Sequence, residues 1–257
     1  SKDLVNWKFE GHSLPTVKHM DITGMVNSMG IFAPTIRHHN GKFFMITTLT
    51  DGKWQVLVTA DNAAGPWSDP VRVELFGIDP DLFWDENGDC YMTYASLPLD
   101  GIGQVKIDTE TGAILGEPYL VSQGAGGKFP EGPHIYKIGD WYYLLIAEGG
   151  TERGHAVTVA RSKNISGPFE FDPKSPLLSN RGTGLTIQNT GHADLVQRAD
   201  GSWLLDGMMP VQELKSRLNI KALPQEDDAI YNTLAGLLLA VSGRLLQEGE
   251  ATYAQGW

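Results

Sequence analysis

Short runs in which apolar and polar residues alternate recur along the chain, each followed by a glycine-bearing turn and a second run rich in aromatics. Ala33-Pro34-Thr35-Ile36 leads through Asn40-Gly41 to Lys42-Phe43-Phe44-Met45-Ile46. Asp79-Pro80-Asp81-Leu82-Phe83 leads through Asn87-Gly88 to Cys90-Tyr91-Met92-Thr93-Tyr94, and Gly132-Pro133-His134-Ile135-Tyr136 through Gly139-Asp140 to Trp141-Tyr142-Tyr143-Leu144-Leu145. A fourth frame, Gly191-His192-Ala193-Asp194-Leu195-Val196, precedes Asp200-Gly201-Ser202-Trp203-Leu204. Each unit predicts a β-hairpin. Two units also close alike, on Gly65-Pro66-Trp67 and Gly167-Pro168-Phe169. Aligned on Pro34, Pro80, Pro133 and His192, the units are spaced 46, 53 and 59 residues, a period that suits four-stranded propeller blades. A β-sandwich is the competing all-β architecture, but it gives no reason for the repeated Pro.

The pattern changes after Gly207. Val211, Leu214 and Leu218 fall on one face of a short helix that Pro210 opens. Asp227 or Asp228 caps a second, with a stripe of Ile230, Leu234, Leu237, Leu238, Val241 and Leu245, and Gly249–Tyr253 reads as one more strand. The expected class is therefore all-β, a partial β-propeller over residues 1–198, followed by a short α+β tail over 199–257.

Composition narrows the partners. A net charge of −11 would repel the phosphates of nucleic acid. No apolar run reaches membrane-spanning length, so no membrane partner is expected. Cys90 is the single cysteine, which excludes an intrachain disulfide, and no clustered Cys/His pattern or phosphate-cradling loop is present. Seven Trp and eight Tyr supply the flat surfaces that neutral sugars stack on. No signal peptide is visible, which tilts the expected compartment toward the cytoplasm, although a chain without its natural start does not report on export.

Two carboxylates stand out because each sits beside a Pro at the mouth of a strand: Asp79 before Pro80, and Glu131 two residues before Pro133. Such acids commonly cap turns. A pair at the mouths of neighbouring sheets is also what acid-catalysed cleavage of a glycosidic bond requires.

Ser1–Trp7, Phe32-Ala33-Pro34-Thr35-Ile36-Arg37, Gly77-Ile78-Asp79-Pro80, Glu131-Gly132-Pro133-His134 and Thr190–Gln197 together resemble glycoside hydrolase family 43, nearest its β-xylosidases and α-L-arabinofuranosidases. The resemblance implies a five-bladed propeller and hydrolysis with inversion of terminal β-D-xylosyl or α-L-arabinofuranosyl residues, so the expected partner is a xylo- or arabino-oligosaccharide. It assigns Glu131 as general acid and Asp79 as the residue that tunes and orients it. His192 is expected near the sugar, where a structural His between blades is an equal alternative, and Phe32 as an aromatic wall. No cofactor is implied beyond a Ca2+ near the propeller axis. The family's general base lies in an Asp-Pro turn that this chain does not contain, so none of Asp3, Glu10 or Asp21 is assigned to it. Little activity is therefore expected from the chain as it stands.

The tail resembles a second family, the transporter-associated domain of the CorC/HlyC group, through Asp200–Gly207, Tyr231–Leu237 and Gly243-Arg244-Leu245. Two domains each cut mid-fold point to a recombined or misassembled reading frame; a divergent last blade with a helical insertion is the plainer alternative. The rival functions are a carbohydrate-binding propeller without catalysis, a glycosidase for other linkages such as arabinan, and, for the tail alone, a regulatory piece of an ion-efflux protein.

Overall fold

The computed structural model describes residues 1, 6–49, 54–196, 215, 222–223, 237–239 and 242. It divides into two compact units, Phe9–Leu195 and a second made of Ser1–Lys8 with Val196–Trp257. In the second, Lys215, Leu237–Leu239 and Ser242 are helical, and Leu223 and Leu237 are buried. The Ser242 hydroxyl donates to the Leu238 carbonyl at 2.6 Å, one helical turn back. The other positions of the expected tail helices and strand, and most of the Ser1–Trp7 motif, lie outside the described residues.

The Phe9–Leu195 unit holds three four-stranded antiparallel sheets, each a meander in chain order. The first comprises β1 Thr35–His39, β2 Lys42–Leu49, β3 Trp54–Ala60 and β4 Val71–Val73. The second comprises β5 Ile78–Trp84, β6 Cys90–Ser96, β7 Gly101–Ile107 and β8 Tyr119–Ser122. The third comprises β9 Glu131–Ile138, β10 Trp141–Glu148, β11 Ala156–Ser162 and β12 Glu170–Phe171. These are the three expected hairpin units, each extended by two further strands. Asn40 and Gly41 both take positive φ, 47° and 80°, the turn whose twist matches the flanking strands and fixes the His39–Lys42 register. The repeated closure recurs as a contact: a Cβ on Gly65 or on Gly167 would come to 3.1 Å of the Trp67 or Phe169 ring two residues on.

β5, the first strand of the second sheet, packs against β1 and β2 of the first and against β9 of the third. The sheets stack face to face. Phe44, Ile46, Leu57, Val73, Leu82, Met92, Tyr94 and Val105 form the layer between the first and second. Ala95, Ile102, Val121, Ile135, Leu144 and Ile146 form the layer between the second and third. Covered on both sides, β6 is buried along its whole length, which is why it reads as a nearly unbroken apolar run. Tyr94, 1% exposed, lies against Gly77 and Gly103, where a Cβ would approach its ring to 2.4 and 2.8 Å. The buried Gln55 amide donates to the Leu75 and Gly77 carbonyls and its oxygen accepts from Thr48, all within 3.0 Å. The strand that carries Asp79 therefore starts from a fixed point.

Candidate active site

The Asp-Pro and Gly-Pro dipeptides are β-bulges. Ile78 pairs with Ala95 and Asp81 with Thr93, so Asp79 and Pro80 together oppose Tyr94. Glu131 pairs with Ala147 and His134 with Leu145, so Gly132 and Pro133 oppose Ile146. A bulge is where a sheet tolerates proline and re-aims a side chain. In both, the residue before Pro is left-handed, Asp79 at φ 54° and Gly132 at φ 53°. His192 is left-handed too, at φ 52°. It matches Asp79 and Gly132 rather than the prolines, one step from where the sequence frame placed it. Bulky residues held in this region mark sites where the surroundings over-determine the backbone.

These matching positions line one cavity of about 210 Å³, formed by Ala33, Pro34, Thr35, Asp79, Gly132, His134, His192 and Asp194. His192 Nε2 lies 3.9 Å from Asp79 Oδ2, and the Gly132 N–H donates to the same oxygen at 3.2 Å. A Cβ on Gly132 would reach within 2.5 Å of the His192 ring, so the glycine leaves the room that the imidazole fills. Asp79 and His192 thus line the cavity together, whereas Glu131 is not among its lining residues and stands beside it, next to Gly132 and near enough for the Asp79 charge to act on it. Phe32 immediately precedes the cavity wall. Its carbonyl accepts from the Thr47 hydroxyl at 2.7 Å, and its side chain is partly exposed. It stands two residues before Pro34, as Glu131 does before Pro133.

Burial pushes the Asp79 carboxyl above its ordinary range; His192, the Gly132 amide and His134 offset only part of that. Burial also raises Glu131, and the neighbouring Asp79 charge adds to it. Both acids therefore hold their protons more tightly than free carboxylates do. For stability the sign is as follows. A carboxyl whose midpoint is higher folded than unfolded binds more protons in the folded state between the two midpoints. Stability falls as pH rises through that window, and the penalty is fully present above it. Asp79→Asn, which keeps an acceptor for Gly132 and suits a left-handed backbone, is expected to stabilise the chain at neutral pH by about 1 kcal/mol. Urea denaturation across pH checks this: the gain should vanish below the ordinary carboxylate range, and a pH-independent gain contradicts it.

Beneath this cluster lies a network that the sequence reading did not single out. Arg37 Nε lies 2.8 Å from Asp81 Oδ1, and its Nη1 donates to Asp194 Oδ2 at 2.7 Å. Arg37 Nη2 is 3.0 Å and Asp81 Oδ2 3.3 Å from His134 Nδ1. A guanidinium only donates, so the shorter contact makes Nδ1 an acceptor and leaves the imidazole proton on Nε2. The Tyr136 hydroxyl donates to Asp194 Oδ1 and accepts from the Leu195 N–H at 2.9 Å. Burial alone would lower the Arg37 pKa, but Asp81 and Asp194 more than offset it and leave it raised. Burial would raise Asp194, yet Arg37, His134 and Tyr136 hold it below the usual carboxylate range. Thr35, Asp81, His134 and Asp194 each sit two residues beyond a matching position, so the network is a second ring below the first.

Glu148, 3% exposed at the end of β10, fixes the approach to Glu131. It accepts from the Ala125 N–H at 2.9 Å, the Gly127 N–H at 2.9 Å and the Thr158 hydroxyl at 2.6 Å. A Cβ on Gly124 or Gly127 would strike its side chain at 2.5 or 2.7 Å. The loop between β8 and β9 is thereby wrapped on one carboxylate, and Glu131 is delivered at its end. Among the described residues no group of three His, Cys, Asp or Glu side chains is arranged to hold a metal ion.

Comparison with known proteins agrees with this architecture. The profile of Glycosyl hydrolases family 43 matches residues 1–206, and that of the Transporter associated domain matches residues 196–257, so the two overlap over residues 196–206. A non-reducing end α-L-arabinofuranosidase of Bacteroides ovatus is 44% identical over 209 residues, covering 79% of this chain and 39% of that protein. A xylan 1,3-β-xylosidase of Vibrio sp is 38% identical over 221 residues, covering 80% of this chain and 41% of its own. The crystal structure of a xylan β-1,4-xylosidase from Bacillus halodurans superposes with a TM-score of 0.72 at 37% identity, over 78% of this chain and 41% of the other. The chain thus spans about two fifths of the length of these relatives. With five motifs in order and three matching sheets around one cavity, the chain belongs to glycosyl hydrolases family 43.

Proposed function

We propose that the cavity takes the terminal β-D-xylosyl or α-L-arabinofuranosyl residue of a plant cell-wall oligosaccharide and that the site cleaves it with inversion. Glu131 acts as general acid, and Asp79 keeps it protonated and oriented. The observation that carries this reading is the closeness of two carboxyl-bearing strand mouths: Asp79 is buried and accepts from the N–H of Gly132, the residue next to the partly buried Glu131, and burial with the Asp79 charge pushes Glu131 upward. That is the environment a general acid needs near neutral pH. A cavity of about 210 Å³, floored by the Arg37–Asp194 network, suits one sugar ring rather than a threaded chain. His192 reaches the cavity beside Asp79 and contacts the sugar; Phe32 flanks it at the rim. The activity belongs to residues 1–198, and the tail from 199 takes no part in it.

An inverting enzyme also needs a base across the sugar, roughly 6.5–9.5 Å from the acid. Among the described residues, Asp194 is the other carboxylate lining the cavity, and its oxygens are taken by Arg37, Tyr136 and the Leu195 N–H. It is a poor base. The chain of 257 residues is therefore expected to turn over aryl xylosides and arabinofuranosides about 10²–10⁴-fold more slowly than an intact relative. Steady-state rates on both substrates check this, and a rate close to an intact relative's would refute the missing base. The same gap favours a second reading, a propeller that binds pentosides without cleaving them. Xylose or arabinose affinity with no turnover at any pH would select it.

Of the about six to eight oxygen ligands that a Ca2+ takes, the described lining offers side-chain oxygens from Asp79, Thr35 and the already occupied Asp194, so the rest would come from backbone carbonyls and water. No step of the proposed reaction is routed through a metal.

A further inference from the structure

His155 precedes β11 and is 6% exposed, yet among the described residues its Nε2 has no hydrogen-bond partner. The one other buried orphan atom of the acid cluster is Glu131 Oε1, and the two face each other at 3.9 Å. Buried polar atoms without partners are rare and call for a cause. A water in line between them would need roughly 5.5 Å, so none fits there. On its other side the imidazole abuts Gly191, where a Cβ would fall 2.2 Å from Nε2 and 1.7 Å from Cδ2. That side admits no partner. A movement of about 1 Å brings the facing pair to hydrogen-bond distance.

We infer that His155 is a positioning residue for Glu131: its Nε2–H donates to Oε1 and leaves Oε2 as the oxygen that carries the transferable proton. This deepens the proposed function and rests on Glu131 being the acid there. A carboxyl with two equivalent oxygens presents its proton to the glycosidic oxygen only part of the time; a donor fixed on one oxygen removes that ambiguity. Burial and His192 both lower the His155 pKa, which keeps the ring neutral and able to hold one proton on one nitrogen. The charged or titratable groups around Glu131 are Asp79 on β5, His192 after β12 and His155 itself; Glu148 on β10 turns its carboxylate to the loop amides. A donor on Oε1 favours the carboxylate, so it restrains the upward pull of burial and Asp79.

Two NMR readouts on the full isotope-labelled chain test this. Long-range proton–nitrogen spectra should show the His155 proton on Nε2 at neutral pH; an unprotonated Nε2 overturns the inference. The side-chain carbonyl of Glu131, assigned by its loss in Glu131→Gln, is then titrated. His155→Leu should raise the Glu131 midpoint by about one pH unit, the scale of one hydrogen bond to a charged group. His155→Gln, which restores an amide donor, should recover most of it. An unchanged or lower midpoint in a folded His155→Leu chain overturns the inference; if that variant does not fold, the tautomer decides. Neither readout involves a sugar. A chain that binds no pentoside would therefore defeat the proposed function and leave the His155–Glu131 pair to stand or fall by itself.

Discussion

Replacing Arg37 with Met is expected to destabilise the Phe9–Leu195 unit by about 3–5 kcal/mol, the cost of stranding a buried charge. The two legs of the network are unequal. Asp194 is 41% exposed at its side chain, and an ion pair so open to solvent contributes little. Asp81 is 1% exposed and ties three inner strands together: it contacts Arg37 on β1 and accepts the Ile135 N–H of β9 at 3.3 Å. Without Arg37 its charge stays buried with one backbone donor and His134. The pair Arg37→Met and Asp81→Leu should therefore lose less than Arg37→Met alone, because no charge is left behind. Urea denaturation of the three chains gives the answer. A loss below about 1 kcal/mol for Arg37→Met would mean that Asp81 finds another counter-charge.

Glu131→Gln is expected to lower turnover of alkyl pentosides by about 10²–10⁴-fold, the usual contribution of a positioned acid. Nitrophenyl pentosides, whose leaving group needs little protonation, should lose far less. Single-turnover and steady-state rates on this chain supply the measurement. An equal loss for both leaving groups would remove Glu131 from the acid role and leave it a binding residue. The pH profile gives an independent check. Raised midpoints at Glu131 and Asp79 shift the alkaline limb of the wild-type profile upward, and Asp79→Asn should bring the Glu131 limb back down.

Much of this was legible from residue patterns. Aromatic second strands, Asn40-Gly41 and the twin Gly-Pro closures gave the hairpins, because turn chemistry and period-two alternation are local. Asp79 and Glu131 stood out because a carboxylate beside a strand-opening Pro is unusual. The second ring was not legible. Arg37 lies in Thr35–His39, where alternation reads it as an ordinary polar position, and its partners Asp81, His134 and Asp194 lie on other strands. Their meeting depends on the bulges, which shift register by one residue. His192 misled for a related reason: with no Pro in its frame, only its backbone angle shows which position it matches. Glu148 did leave a signal, as the one acid closing the apolar run Trp141–Ala147. His155 left none, since its meaning lies in the absence of a partner.

The left-handed positions of the bulges also constrain what can replace what. Gly132 and His192 occupy neighbouring slots around a single space, and the imidazole already fills it. A side chain can stand at one slot or at the other. Sequence change here is consequently coupled: a residue larger than glycine becomes admissible at 132 only after 192 has shrunk. A library that randomises the two positions independently would consist mostly of chains whose substrate chamber cannot assemble, whereas one that exchanges their sizes would explore new chambers on an intact scaffold.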